Sequence, residues 1–142
     1  PDDDYSIPFG QAAVKRAGKD ITIVAYSKMV HVAMEAAQVL ASTGVEAEVI
    51  DLRTLRPLDV ETVVESVKKT NRLVVLEEAW PFGNVATEIT YLVQSEAFDY
   101  LDAPVVKINT ADTPAPYSPV LLEEWLPNHN DVIKAVKKVM YK

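Results

Sequence analysis

The residues best placed to do chemistry are two adjacent carboxylates, Glu77 and Glu78, directly after the apolar run Leu73-Val74-Val75-Leu76. Paired carboxylates at a strand end can divide general acid and general base work when burial separates their pKa values. The alternative is that one caps or salt-bridges within the fold while the other is solvated. With no nucleophile or metal-ligand cluster nearby in the sequence, the alternative is favoured. A second group, Asp51, Arg53 and Arg56, reads either as an anion-binding or interface arginine pair or as a loop pinned by Asp51 holding one guanidinium. Local charge balance favours the pinned loop. His31, in Met-Val-His-Val-Ala, reads as a packed or interfacial residue rather than a ligand, and His129, between Asn128 and Asn130, as exposed. With two histidines and no cysteine in the chain, zinc–thiolate sites, iron–sulfur clusters and thiol catalysis are excluded.

Beyond the carboxylates stand Trp80, Pro81 and Phe82, two large aromatics around a proline in a strand-to-helix connection. They read either as a surface that another chain covers or as a local loop core. Asp112 to Pro119 (DTPAPYSP) is stiffened in extended form by its prolines and reads as an arm packed on a neighbour. The chain has only four glycines, Gly10, Gly18, Gly44 and Gly83. The first strand-to-helix turn, Tyr26-Ser27-Lys28-Met29, has none, so neither a dinucleotide fingerprint nor a P-loop is present.

The elements that must position these residues follow from hydrophobic periodicity. Phe9–Arg16 is expected as an edge strand. Ile21–Tyr26 is a continuous β-branched run expected as a strand buried on both faces, Arg72–Leu76 is expected as a core strand, and Glu46–Leu52 and Pro104–Ile108 are expected as further strands. Between them lie helical patterns: Met29 to about Ser42, capped by Ser27; a second helix capped by Asp59, with Val60, Val63, Val64 and Val67 inward; and a third opened by Gly83 and Asn84. Thr110–Pro127 is expected to be irregular, and Asn130–Tyr141 helical. Alternating strands and helices predict a single α/β domain with a mostly parallel sheet covered on both faces, spanning residues 9–142 behind an acidic linker, 1–8.

At 142 residues, 49% hydrophobic and 25% charged, the composition is that of an ordinary globular domain. The net charge of -7 disfavours nucleic acid and anionic membrane surfaces as partners. No apolar run approaches the roughly 18 residues that span a bilayer. A chain opening at Pro1 without methionine is expected to be part of something longer.

Four stretches carry a family likeness: EVIDLRTLRPLD (48–59), KTNRLVVLEEAWPFGNVATEI (69–89), FDYLDAPV (98–105) and TADTPAPY (110–117), with IPFGQAAVKRAGKDITIVAYSKMVHVAMEAA (7–37) before them. They resemble, in order and spacing, the C-terminal third of the beta subunit of the thiamine-diphosphate-dependent decarboxylating component of 2-oxo acid dehydrogenase complexes, pyruvate dehydrogenase above all. The resemblance implies a transketolase C-terminal-like fold, a mixed, mostly parallel five-stranded sheet between two helix layers. It implies an oxidoreductase as the parent enzyme, with thiamine diphosphate and magnesium held in other domains. No catalytic, cofactor or metal residue is then expected in this chain, which alone would be inactive. A branched-chain 2-oxo acid enzyme is the sibling alternative; a freestanding flavodoxin-like interaction module is the alternative from another class.

The resemblance further implies an α2β2 assembly, with an alpha subunit and a second beta subunit as neighbours, and docking onto a dihydrolipoyl acyltransferase core. Asp102, assisted by Asp99 and by the terminal carboxylate at Lys142, is the implied contact for the basic subunit-binding domain of that core. Trp80, Pro81, Phe82 and His31 are the subunit-interface candidates. The implied compartment is a bacterial cytoplasm or the mitochondrial matrix. Two departures stand out: the loop after Glu78 holds fewer glycines than the family usually shows, and Lys142 adds a positive charge where an acidic end would suit a basic partner.

Overall fold

The computed structural model describes residues 4–141; Pro1–Asp3 of the expected linker and the Lys142 candidate lie outside the described residues. Five strands form one sheet in the order β1-β3-β2-β4-β5: β1 (Ala13–Arg16), β2 (Ile21–Ala25), β3 (Ala47–Asp51), β4 (Leu73–Leu76) and β5 (Val106–Ile108). β1 runs antiparallel to β3 and every other pairing is parallel. The sheet is thus mixed and mostly parallel, as expected.

Alternation along the strands divides the apolar residues between two cores. Ile21, Ile23 and Ala25 of β2 face one side, with Val49, Val74 and Leu76, beneath α1 (Met29–Ser42) and α5 (His129–Val139). Val24, Ile50, Leu73 and Val75 face the other, beneath α2 (Val60–Thr70) and α3 (Val85–Ala97). Thr22 breaks the apolar pattern of β2, and its hydroxyl meets those of Ser66 at 2.6 Å and Thr70 at 2.7 Å on α2. Glu48 of β3 joins this buried cluster through Ser66, Lys69 and the Gly18 N–H. Burial by itself would raise its carboxyl, but those hydrogen bonds outweigh burial and hold it below the usual carboxylate range.

Two helix starts match their expected caps. Asp59 accepts from Thr62 N–H and Asn84 from Thr87 N–H. Ser27 does not cap α1: it sits at φ 54, Lys28 occupies the cap position, and no side-chain bond forms there. The expected strand from Phe9 begins only at Ala13. Gly10 N–H is instead bound by Thr54 Oγ1 at 2.9 Å and Ala12 N–H by Asp59 Oδ2 at 2.8 Å, which ties this stretch to the β3–α2 loop. The expected irregular stretch Thr110–Pro127 contains a short helix, α4 (Pro119–Trp125), with Pro119 in its first turn, where a missing N–H costs nothing. Asn128 and Asp131 start α5 with a reciprocal capping box.

Candidate functional site

The connections that follow β2 and β4 meet at the carboxyl end of the parallel strands, the usual ligand edge of such sheets. Glu77 is fully buried there. Its Oε1 accepts from Asn109 Nδ2 at 2.8 Å, and its Oε2 from the Tyr26 hydroxyl and the Ala86 N–H, each at 3.1 Å. Ala86 lies in the first turn of α3, so the carboxylate serves that helix's open N–H end from outside the helix. Burial pushes the Tyr26 phenol well above its ordinary value, and the charges of Glu77 and then Glu78 add to the effect. Glu78 is exposed. The pair therefore matches the structural alternative: one carboxylate is committed to the fold and the other is solvated. Tyr26 and Asn109 had no sequence signal beyond their places at strand ends.

Beside Glu77 the chain turns outward. Phe82 is 90% exposed and Trp80 55% exposed, and Pro81 is exposed as well. Asn84 Nδ2 donates to the Trp80 carbonyl at 2.6 Å, and the Trp80 indole donates to the Thr113 carbonyl at 2.9 Å. An open cleft of about 760 Å³ lies between this loop and the β3–α2 loop, walled by Tyr26, Leu55, Arg56, Trp80, Phe82 and Glu88. Its lining is mixed, with Arg56 and Glu88 as its charges. Asp51 does not hold an arginine side chain: its Oδ1 accepts the backbone N–H of Arg53 at 3.0 Å, and among the described residues no ion pair joins it to Arg53 or Arg56. The turn is pinned through the backbone, leaving both guanidiniums exposed.

The other candidates lie elsewhere. His31 is exposed on α1. His129 is half-buried rather than exposed, with Nδ1 3.3 Å from Glu35 Oε1. Asp99 and Asp102 stand at the opposite end of the strands, before β5. Asp102 pairs with Arg72 at 2.9 Å, its N–H is held by the Asn71 carbonyl at 2.9 Å, and 53% of its side chain remains exposed. The structure therefore separates the aromatic loop from the acidic turn by the length of the sheet.

The donor set at the carboxyl edge does not fit a diphosphate and its divalent metal. Its buried carboxylate is spent on the chain's own donors, and among the described residues no three acidic, histidine or cysteine side chains converge on a metal position. No helix among the described residues is long and apolar enough to cross a membrane.

Residues 10–132 match the family described as transketolase, C-terminal domain. Among curated proteins, the chain is 52% identical over 135 residues to the pyruvate dehydrogenase E1 component subunit beta of Rickettsia felis, covering 95% of this chain and 41% of that protein. It is 48% identical over 138 residues to the mitochondrial subunit beta of Dictyostelium discoideum, covering 97% of this chain and 39% of that one. The chain thus spans about two fifths of the curated relatives it matches. Among solved structures, a split gene transketolase described as an inactive beta4 tetramer superposes with a TM-score of 0.84 at 33% identity, over 97% of this chain and 44% of that one.

Proposed function

The chain belongs to the transketolase C-terminal domain family, and from that premise we propose that it is the assembly and docking domain of a pyruvate dehydrogenase beta subunit. The observation that carries this reading is the near-half identity to such subunits over almost the whole chain. The intact enzyme is an α2β2 oxidoreductase that decarboxylates pyruvate and acetylates the lipoyl group of a dihydrolipoyl acyltransferase core. Thiamine diphosphate and magnesium are held by other domains of that enzyme, in a bacterial cytoplasm or the mitochondrial matrix.

This domain's part is to bind neighbours. The Trp80-Pro81-Phe82 loop and His31 meet the alpha or second beta subunit. A ring as exposed as Phe82 is stabilised by a covering surface, and a related solved structure is described as a tetramer of beta chains. Asp102 and Asp99 receive a basic subunit-binding domain at the other end of the strands. Arg72 holds Asp102 in place, and the exposed half of its side chain is free to receive a second cation.

The test is made on the longer beta subunit carrying this domain, co-expressed with its alpha subunit. Pyruvate-dependent dye reduction by the assembled tetramer is expected, and its absence in an assembled tetramer would rule out the pyruvate reading. Phe82→Glu is expected to reduce the assembled fraction in light scattering. Asp102→Ala is expected to leave assembly and dye reduction unchanged while weakening capture by an immobilised subunit-binding domain, most visibly at low salt.

A further inference from the structure

β5 ends the sheet, and among the described residues no strand lies beyond it. The Ile108 carbonyl accepts from Glu77 N–H at 3.0 Å, so Ile108 turns its polar backbone toward β4. Backbone polar groups alternate sides along a strand, which turns the N–H and carbonyl of Lys107 to the open edge. Against this edge lies a groove between β5 and α3. Two adjoining hollows of about 350 and 440 Å³ share Thr90, Gln94 and Val105. Tyr91 and Phe98, 66% and 61% exposed, line the helical wall.

The two ends of the groove differ in charge. At one, Lys107 Nζ donates to Thr87 Oγ1 at 2.8 Å and to the Pro81 carbonyl at 3.0 Å, both neutral. Among the described residues no carboxylate pairs with it. At the other, Asp102 lines the groove, and Asp99 is exposed directly after Phe98 of its wall. From Thr87 to Phe98 a helix rises roughly 16 Å, the span of about five residues of extended chain.

We infer that this edge and groove dock an extended segment of a partner polypeptide, added as a sixth strand beside β5. The segment carries a basic residue at the Asp102 end, apolar side chains between, and a carboxylate at the Lys107 end. Backbone bonds to Lys107 supply sequence-independent affinity, while alternate side chains of the segment settle against Tyr91 and Val105. A lysine that no carboxylate pairs at one end, with Asp102 and Asp99 at the other, selects one polarity of segment. A second copy of β5 is a poorer occupant, because twofold pairing would bring Lys107 near its own image. The site shares Asp102 and Asp99 with the docking face proposed above, but its other residues have no part in that face.

The probe is a fluorescein-labelled, C-terminally amidated peptide, Arg-Val-Leu-Val-Glu, titrated with the 142-residue chain by polarisation at low salt. Saturable binding is expected. Gln94→Trp, which fills the groove from an exposed position, weakens it about tenfold or more, and Tyr91→Ala acts in the same direction. Changing the peptide's Glu to Gln weakens binding to the native chain about fivefold and has far less effect with Lys107→Met, which links that carboxylate to that lysine. No saturation up to about 1 mM, or binding that Gln94→Trp leaves unchanged, overturns the proposal. Equal binding by a peptide with its two charges exchanged overturns it too. None of these variants touches Asp102, so their outcome is separate from that of the subunit-binding test.

Discussion

The indoles of Trp80 and Trp125 donate to one and the same acceptor, the carbonyl oxygen of Thr113, at 2.9 and 3.0 Å. The two come from different segments, the loop after β4 and the helix α4, and between them they fasten the proline-rich arm to the body of the domain. The arm gains two further ties in Thr110 N–H to the Ala79 carbonyl at 3.1 Å and Ala111 N–H to the Trp125 carbonyl at 3.2 Å.

Because these are the only two tryptophans, fluorescence reports on the clamp directly. Trp125→Phe is expected to change global stability by about 1 kcal/mol or less, the usual net worth of one hydrogen bond. The double variant with Trp80→Phe loses both donors, and the arm over residues 110–118 becomes a preferred site of limited proteolysis while the rest of the domain stays protected. Equal cleavage rates for native and doubly substituted chains would remove the clamp as an explanation of the arm's position.

Gly18 and Gly44 make a controlled comparison. A Cβ on Gly18 would lie 2.2 Å from both the Ala47 carbonyl carbon and the Glu48 nitrogen, whereas one on Gly44 meets nothing within 4 Å. Gly18→Ala has to push backbone away from backbone and is expected to cost about 3 kcal/mol or more in urea unfolding. Gly44→Ala carries only the penalty of a left-handed φ of +81, about 1–2 kcal/mol.

The buried Glu77 is expected to control the titration of Tyr26. Glu77→Gln removes the negative charge beside the phenol but keeps much of the volume. Ultraviolet titration should then show the Tyr26 phenol ionising at lower pH than in the native chain, because one of the causes raising it is gone. Burial, the largest cause, remains, so the value stays above that of an ordinary tyrosine. The same variant is expected to destabilise the fold by about 1–3 kcal/mol, since an amide cannot accept from all three donors at once.

Acid should weaken the domain through Glu48 and Asp59. Burial alone would raise both carboxyls. It is outweighed in Glu48 by hydrogen bonds from Lys69, Ser66 and Gly18, and in Asp59 by the Thr62 and Ala12 N–H groups and the Thr62 hydroxyl. Both therefore titrate lower when folded than when unfolded, so the unfolded chain takes up more protons as the pH falls. Their contribution is whole above the ordinary carboxylate pKa of about 4 and is lost as the pH drops through the lower folded values. Urea midpoints are expected to hold level from pH 7 to about 5 and then decline. Asp59→Asn should flatten the decline.

Much of the fold was legible because strands buried on both faces need unbroken β-branched or aliphatic runs, and β2 and β4 have them. Asp59 and Asn84 announced their helices because a short side-chain acceptor before an apolar period has few other uses. The misreadings have physical causes. Prolines inside a helix break it, which makes Thr110–Pro127 read as irregular, yet Pro119 falls where a helix tolerates one. Ser27 sits in a left-handed turn one residue before the cap position, where its side chain caps nothing. The start of β1 depends on Thr54 and Asp59, which bind the backbone of Gly10 and Ala12 from a distant loop. For the site, Glu77 and Glu78 divided as one buried and one solvated carboxylate, but Tyr26 and Asn109 reach Glu77 only through the sheet order.

The alternation along β2 has a consequence for how substitutions combine. Ile23 and Val24 are neighbours in the chain, yet they belong to different cores, one under α1 and α5 and the other under α2 and α3. Trimming both should give a loss close to the sum of the single losses, because the two side chains share no packing partner. Ile23 and Val136, more than a hundred positions apart, face the same core, and trimming both should depart from additivity. In this domain epistasis follows the layers and ignores the chain.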